Sequence, residues 1–240
     1  MEPIRISKYF TDCGVLSRRA ADAAVEAGEV QVNGIPAVTG QKITPGVDEV
    51  LFRGKRVVMP DKAEKLTVML NKPRGYLTTL SDDRGRHTVA ELVANAGVRL
   101  YPIGRLDMDS DGLLLLTNDG ELANHLSHPS HEVKKVYIAY VDGHVTTEQM
   151  EHMRHPIEID GKMTAPAEVR KAGMTDLETA LEVTIHDGRN RQVRRLCERE
   201  GLHVRKLTRV AEGNLLLGDL DEGHWRRLTD KEIRIVRENL

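Results

Sequence analysis

Residues able to do acid, base or nucleophilic chemistry are concentrated between positions 101 and 120, in YPIGRLDMDSDGLLLLTNDG. Asp107, Asp109 and Asp111 occupy alternate positions there, and Arg105 precedes them by two residues. In an extended segment residues i and i+2 point to the same side, and an arginine beside a carboxylate favours its ionised form. An ionised aspartate can act as a nucleophile or a base. The same residues could also form a structural ion pair in a polar loop.

Two apolar runs must hold this polar segment in place. Residues 113–116 are four leucines, too few for a buried helix and bounded by turn residues, so they predict a strand buried on both faces. Residues 118–120, Asn-Asp-Gly, supply a turn or the start of a helix. Loops held between buried elements are favourable places for catalysis.

GRLD followed by DGLLLLTNDGEL closely resembles the catalytic motif of RNA pseudouridine synthases. The most similar branch is the RsuA/RluB/RluE/RluF group, which modifies ribosomal RNA in bacteria. The resemblance implies that Asp107 is the catalytic residue and that Arg105 and Leu106 line the substrate pocket. It also implies an α+β fold, in which a small RNA-binding domain precedes a catalytic domain with a mixed, mainly antiparallel sheet and flanking helices.

Residues 133–141, VKKVYIAYV, alternate as a strand that carries Tyr137, Ala139 and Val141 on one side. Taken alone, Tyr137 fits an ordinary half-buried strand tyrosine. The K-x-Y pattern resembles the second motif of the synthases. The resemblance implies that Tyr137 packs against the target base and is a candidate for assisting proton removal.

Residues 186–209 form the most basic stretch, with eight Lys/Arg against three Asp/Glu, a local charge of +5. Val193, Leu196 and Cys197 recur at helical spacing and predict a helix with these residues inward, whereas the arginines at 191, 194 and 195 lie mostly outside that stripe. An exposed amphipathic helix and a phosphate-binding helix both fit this pattern.

GRNRQVRRL in this stretch resembles the third motif of the synthases. The resemblance implies that Arg194 forms an ion pair with the catalytic aspartate. It further implies that Leu207 lines the active site. The remaining arginines are candidates for RNA contacts: Arg189, Arg191 and Arg195.

Residues 1–60 predict a small helix–helix–hairpin unit, with Ser17 capping the second helix and a tight turn at Asn33-Gly34. Their charge is nearly balanced, eight Lys/Arg against seven Asp/Glu, which alone favours a solvated surface. The order of the elements resembles the alpha-L RNA-binding domain of a ribosomal small-subunit protein. The resemblance implies RNA contacts through Arg5, Lys8, Ser17, Arg18 and Arg19. A polar linker is predicted at 61–65 and a catalytic domain at 66–240, where NKPRG resembles the first synthase motif and makes Lys72 a candidate RNA contact.

The bulk composition limits the partners. The chain has 240 residues, 30% of them charged and 3% aromatic, with a formal net charge of −2, so any basic surface must be local. We expect no membrane segment, no metal and no cofactor. Counting from Asp107, the twelfth residue is Asn118 rather than the glutamate of a calcium loop. Cys13 and Cys197 lack metal-ligand spacing, and we expect reduced thiols in a cytoplasmic, monomeric protein.

The expected activity is the isomerisation of a specific uridine to pseudouridine in ribosomal RNA. TAPAEV and GRNRQVRRL make the large-subunit (23S) branch the closer resemblance. A non-catalytic RNA-binding factor of ribosome assembly remains an alternative, since it would keep the basic surfaces without the catalytic residues. A hydrolase of glycosidic bonds is a further alternative, although such enzymes usually need a second carboxylate facing the first.

Overall fold

A computed structural model describes residues 2–59, 64–127 and 133–238. The chain divides into two compact units, Met1–Lys65 and Leu66–Leu240. Of the predicted linker, positions 61–63 lie outside the described residues.

The first unit contains two short helices, a two-stranded antiparallel pair (β1-β4) and a four-stranded antiparallel sheet (β3-β2-β5-β6). They surround one apolar core that includes Ile6, Phe10 and Val30. Ser17 caps the second helix, because its hydroxyl oxygen accepts a hydrogen bond from the amide of Ala20 at 3.2 Å. The elements are β1 (Ile4–Arg5), α1 (Ile6–Asp12), α2 (Arg18–Glu26), β2 (Val30–Val32), β3 (Ile35–Pro36), β4 (Lys42–Ile43), β5 (Val50–Phe52) and β6 (Lys55–Val57).

The second unit is built on one large sheet with helices packed on it. Its elements are β7 (Thr67–Lys72), α3 (Val89–Leu92), a 3₁₀ turn (Ala94–Ala96), β8 (Tyr101–Ile103), β9 (Asp111–Thr117), α4 (Gly120–Ser127), β10 (Lys135–Asp142), α5 (Thr147–Arg154), β11 (Glu158–Ile159), β12 (Lys162–Met163), β13 (Glu168–Met174), β14 (Glu178–Ile185), α6 (Gln192–Arg199), β15 (Val204–Glu212), β16 (Leu215–Leu216), β17 (Trp225–Arg227) and α7 (Asp230–Glu238).

The strand order of this sheet is β13-β14-β10-β15-β9-β7-β17, with β8 paired to β9 and β16 paired to β15. Neighbouring strands run antiparallel except β9 and β15, which run parallel. The predicted α+β architecture with a mixed, mainly antiparallel sheet is therefore confirmed.

Strand β9 lies near the middle of the sheet and is buried on both faces, as its leucines predict. Leu114 and Leu116 belong to the core that also holds Tyr137 and α6, while Leu113 and Leu115 belong to a second core under α4 and α7. All four side chains are at most 1% exposed. The polar loop that precedes β9 thus starts from a fixed element.

Across the described residues, each helix is either too short or too polar to traverse a lipid bilayer.

Candidate active site

A cleft of about 520 Å³, counting its open mouth, lies beside the loop that connects β8 to β9. The loop residues Arg105, Leu106 and Asp107 line one side of it, and Tyr137 from β10 and Leu207 from β15 line another. The turn before α6 and the first residues of α6, positions 188–193, close the cleft and include Arg189 and Arg191. Four separate stretches of the sequence therefore meet at one cleft.

The loop is held by hydrogen bonds from the segment that follows β7. The Thr78 hydroxyl donates to the carbonyl oxygen of Leu106 at 2.7 Å and accepts from the Leu106 amide at 3.2 Å. The amide of Gly75 donates to the carbonyl oxygen of Met108 at 2.7 Å. Main-chain groups on both sides of Asp107 are therefore fixed by a neighbouring segment.

Lys72 does not face solvent, so its prediction as an RNA contact is wrong. The side chain is 0% exposed, and its ammonium donates to the carbonyl oxygens of Pro73 (2.9 Å), Asp107 (3.1 Å) and Ser110 (2.8 Å). Burial lowers the pKa of Lys72 to about 8, and the nearby carboxylate of Asp111 opposes that shift. Lys72 therefore stabilises the loop, because its ammonium satisfies main-chain oxygens that would be costly to leave without a hydrogen bond.

Arg194 is buried, not outside the apolar stripe of α6, and its carboxylate partner is Asp109. The guanidinium lies 3.3 Å from the Asp109 carboxylate and donates to the carbonyl oxygens of Asp109 (2.8 Å) and Val204 (3.1 Å). Within the described parts of the chain, the Asp107 carboxylate has no ion-pair partner. The pair with Arg194 that the resemblance implied is therefore not formed, and neither is the alternative structural pair with Arg105. Asp107 stays half-exposed at the cleft.

Tyr137 sits in the cleft wall above a buried charged cluster. Arg209, 1% exposed, donates to the carbonyl oxygen of Leu113 at 2.7 Å and lies 3.4 Å from the carboxylate of Glu212. Burial raises the pKa of the Tyr137 hydroxyl, and the Arg209 guanidinium offsets part of the rise. Leu207 adds an apolar surface to the same wall. This wall can take a flat base while Asp107 reaches it from the loop.

Gly112 makes the close approach of β9 and β15 possible. Its φ is +109°, and a Cβ atom there would lie 2.3 Å from the carbonyl oxygen of Arg209. Sequence reasoning missed Gly112, Arg209 and the role of Asp109. The one available signal was glycine opening a run of leucines.

The three candidate RNA-contacting arginines around the start of α6 are all partly exposed, and each contacts a polar side chain. Arg191 is half-exposed with a backbone in the left-handed region (φ 50°), and its guanidinium binds both carboxylate oxygens of Asp109 at 3.1 and 3.0 Å. Arg189 and Arg195 are also half-buried, and each contacts a neighbouring polar side chain, Asp187 and Asn190 respectively.

In the first unit, the candidate RNA contacts lie at the surface. Arg5, Ser17, Arg18 and Arg19 are exposed, and the ammonium of Lys8 forms an ion pair with Asp12 at 2.6 Å. Because this ion pair involves only Lys8, the exposed side chains of Ser17, Arg18 and Arg19 at the start of α2 remain accessible.

Comparisons with known proteins identify the family of this chain. The family model "RNA pseudouridylate synthase" matches residues 66–199. The chain is 40% identical over 235 residues to an uncharacterized RNA pseudouridine synthase of Aquifex aeolicus, covering 97% of this chain and 93% of the relative. It is 40% identical over 236 residues to the ribosomal large subunit pseudouridine synthase B of Bacillus subtilis, covering 97% and 95%.

A solved structure described as a pseudouridylate synthase superposes with a TM-score of 0.67 at 29% identity, covering 97% of this chain and 99% of that one. The match extends over both units of the chain. From its family model, its relatives and its fold, this chain belongs to the RNA pseudouridylate synthase family.

Proposed function

We propose that this pseudouridine synthase modifies a specific uridine of ribosomal RNA, in the large subunit, with Asp107 as the catalytic residue. The observation that carries the proposal is the shared cleft: the half-exposed carboxylate of Asp107, the buried ring of Tyr137 and the apolar side chain of Leu207 all line it. The name of the Bacillus subtilis relative supports the large subunit as the substrate.

The reaction breaks the bond between the sugar and the base nitrogen, turns the base and forms a bond to a base carbon. That carbon loses its proton, and the released nitrogen gains one. The atoms of the nucleotide are unchanged, so no group donor is required. Asp107 would begin the reaction by attacking the sugar, attacking the base or removing a proton. Tyr137 and Leu207 would hold the base after it leaves its stack, a step that costs a few kcal/mol, while Arg194 would supply positive charge next to the loop.

The first unit would add affinity and placement. We assign it to the alpha-L type of RNA-binding domain because Ser17, Arg18 and Arg19 lie exposed at the start of α2, where free amide groups favour a phosphate. Arg5 and Lys8 would add charge on the same unit, and Arg189, Arg191 and Arg195 would bind the backbone next to the target uridine. The enzyme would work as a monomer in the cytoplasm.

The test is Asp107→Asn, assayed for pseudouridine in a large-subunit RNA transcript. We expect the variant to fold and bind RNA like the wild type while it loses pseudouridine formation. Asp221→Asn, at an exposed position, is the matched control and should retain full activity. Normal turnover by Asp107→Asn would contradict the assignment. Free uracil as the product of the wild type would indicate a hydrolase, and RNA binding by the wild type without any product would indicate a non-catalytic factor.

The substrate can be tested separately. Large-subunit and small-subunit transcripts should be compared with the purified enzyme, and pseudouridines should be mapped in ribosomal RNA from a deletion strain. Loss of one large-subunit pseudouridine is expected, whereas loss confined to the small subunit would refute the choice of subunit but leave the chemistry intact.

A further inference from the structure

We infer that Asp109 is a positioning residue for the isomerisation, acting through Arg194 and Arg191 on the loop that carries Asp107. The inference rests on the proposed function of Asp107 and adds a residue to it. Asp109 itself does not line the cleft, although the neighbouring loop residues Asp107 and Ser110 do. Its effect must therefore pass through the residues that it holds.

Asp109 joins the loop to α6 through both its side chain and its main chain. Its carboxylate accepts from Arg191 at 3.0 and 3.1 Å and lies 3.3 Å from the Nε of Arg194. Its carbonyl oxygen accepts from Nη2 of Arg194 at 2.8 Å. Nη1 of the same guanidinium is bonded to the carbonyl oxygen of Val204 at 3.1 Å, which fixes it against β15.

The burial of Arg194 makes this partner necessary. Its side chain is 7% exposed, and a guanidinium removed from water is stable only when an opposite charge and hydrogen-bond acceptors replace the water. Burial lowers the pKa of Arg194, and Asp109 is the carboxylate that most strongly opposes the shift. Without the Asp109 carboxylate, the buried guanidinium of Arg194 would lose its ion-pair partner. Asp107 is then the carboxylate of the loop that would attract it.

The backbone of Arg191 points to the same arrangement. Arg191 precedes the first residue of α6 with φ 50° and ψ 30°, a left-handed conformation that is unfavourable for a residue with a side chain. Such strain is kept where the surroundings over-determine it. In this conformation the guanidinium of Arg191 reaches the Asp109 carboxylate, so the start of α6 and the tip of the loop are joined.

Together these contacts separate the two aspartates by role. Asp109 binds Arg194 of α6 and Arg191 of the turn before it. Asp107 therefore lines the cleft without a competing ion pair among the described residues. The position of a catalytic group matters strongly, since a displacement of about 1 Å can cost about a hundredfold in rate.

The test compares Asp109→Asn and Asp109→Glu with the wild type by single-turnover pseudouridine formation at saturating RNA and by RNA affinity. We expect Asp109→Asn to lower the single-turnover rate between about tenfold and a hundredfold, while the dissociation constant changes by less than about threefold. Asp109→Glu keeps the negative charge, so its single-turnover rate should lie between those of the wild type and Asp109→Asn. A merely structural role would lower the melting temperature without this separation of rate from affinity.

Asp142→Asn is the matched control. Asp142 also bridges two basic side chains, Arg205 at 2.9 Å and His203 at 2.8 Å, and is somewhat more exposed than Asp109. Its ion pairs among the described residues involve neither the loop nor α6. Its rate and affinity should match the wild type. A rate loss in this control equal to that of Asp109→Asn would overturn the inference, because any bridging carboxylate would then have the same effect.

A second variant tests the route of the effect. If Asp109 acts through Arg194, adding Asp109→Asn to Arg194→Lys should cost less than Asp109→Asn costs alone, because both disturb one contact. Fully additive losses would overturn the inference. If Asp109→Asn does not fold, Asp109→Glu decides, since a wild-type rate with the carboxylate displaced would refute a positioning role.

The wild type and Asp107→Asn are run beside these variants. Equal rates for the wild type and Asp109→Asn would overturn the positioning role of Asp109 but leave the proposed function of the enzyme intact. Absence of pseudouridine with the wild type would overturn the proposed function, and the inference with it.

Discussion

Replacing Lys72 by methionine tests whether a buried ammonium supports the catalytic loop. The side chain is 0% exposed and its Nζ donates to three main-chain oxygens at 2.8, 2.9 and 3.1 Å. Methionine has a similar length and no donor, so Lys72→Met removes the three hydrogen bonds with little change in volume. The substitution leaves the surface of the protein unchanged.

The magnitude follows from the acceptors that lose a donor. A buried acceptor without a partner costs about 1 to 3 kcal/mol. Ser110 is buried, whereas Pro73 and Asp107 are half-exposed, so water can replace part of the loss at two of the three oxygens. Removing a desolvated charge returns some stability, and we expect a net loss of about 2 to 4 kcal/mol. For a domain of this size that lowers the melting temperature by roughly 4 to 16 °C.

The pH dependence has a definite sign. Burial lowers the pKa of Lys72 from 10.5 to about 8 in the folded protein. Between these two values the unfolded chain binds a proton that the folded protein has released, so Lys72 makes the free energy of unfolding rise with pH. The slope is at most about 1.4 kcal/mol per pH unit. Below pH 8 the group is protonated in both states and contributes no slope.

Thermal and urea denaturation of the wild type, Lys72→Met and the exposed control Lys162→Met between pH 7 and 10.5 measure both effects. The alkaline rise due to Lys72 should be present in the wild type and Lys162→Met and absent in Lys72→Met. RNA affinity and its salt dependence should be unchanged at pH 7. Wild-type stability in Lys72→Met together with a log–log salt slope lowered by about 0.7 to 0.9 would refute the loop support and restore a phosphate contact.

Two further predictions concern the sheet and the first unit. Gly112→Ala should destabilise the second unit by about 4 kcal/mol or more, because the added Cβ would lie 2.3 Å from the Arg209 carbonyl oxygen. The control Gly201→Ala has no atom within 4 Å of its added Cβ and should cost only about 1 kcal/mol of backbone strain. Equal melting temperatures for the two variants would refute the close contact. The double variant Arg18→Ala with Arg19→Ala should lower the salt slope of RNA binding by about 0.7 to 0.9 per lost phosphate contact and leave the single-turnover rate at saturating RNA unchanged. Unchanged affinity and slope would show that α2 does not hold phosphate.

The elements around the site follow from local patterns in the sequence. The leucines of β9, the alternation of β10 and the inward stripe of α6 are each visible within one element, because side-chain period and burial are linked there. Val193, Leu196 and Cys197 are at most 3% exposed, as their spacing predicts. The cap at Ser17 depends on residues three positions apart and was equally predictable.

The buried cations could not be predicted in the same way. A pattern of apolar and polar residues assigns lysine and arginine to the surface, since they are rarely buried unless paired. Lys72, Arg194 and Arg209 are buried because their partners are main-chain oxygens 35, 85 and 96 positions away. A main-chain oxygen is present at every position, so no residue type marks it as an acceptor.

The charge balance around the loop explains why Asp107 is the acid that faces the cleft. Two of the buried cations have a carboxylate beside them, since Arg194 lies 3.3 Å from Asp109 and Arg209 lies 3.4 Å from Glu212.

Burial lowers the pKa of Lys72, and Asp111, which is 3% exposed, is the carboxylate that most strongly opposes this shift. A carboxylate buried without a cation beside it would be costly. Asp107 therefore stays at the half-exposed edge of the network, where a substrate can reach it. Asp109 pairs with Arg191 and Arg194, and Asp111 lies 3.9 Å from the ammonium of Lys206. Of the three alternating aspartates, two are therefore engaged with cations and the third remains available for chemistry.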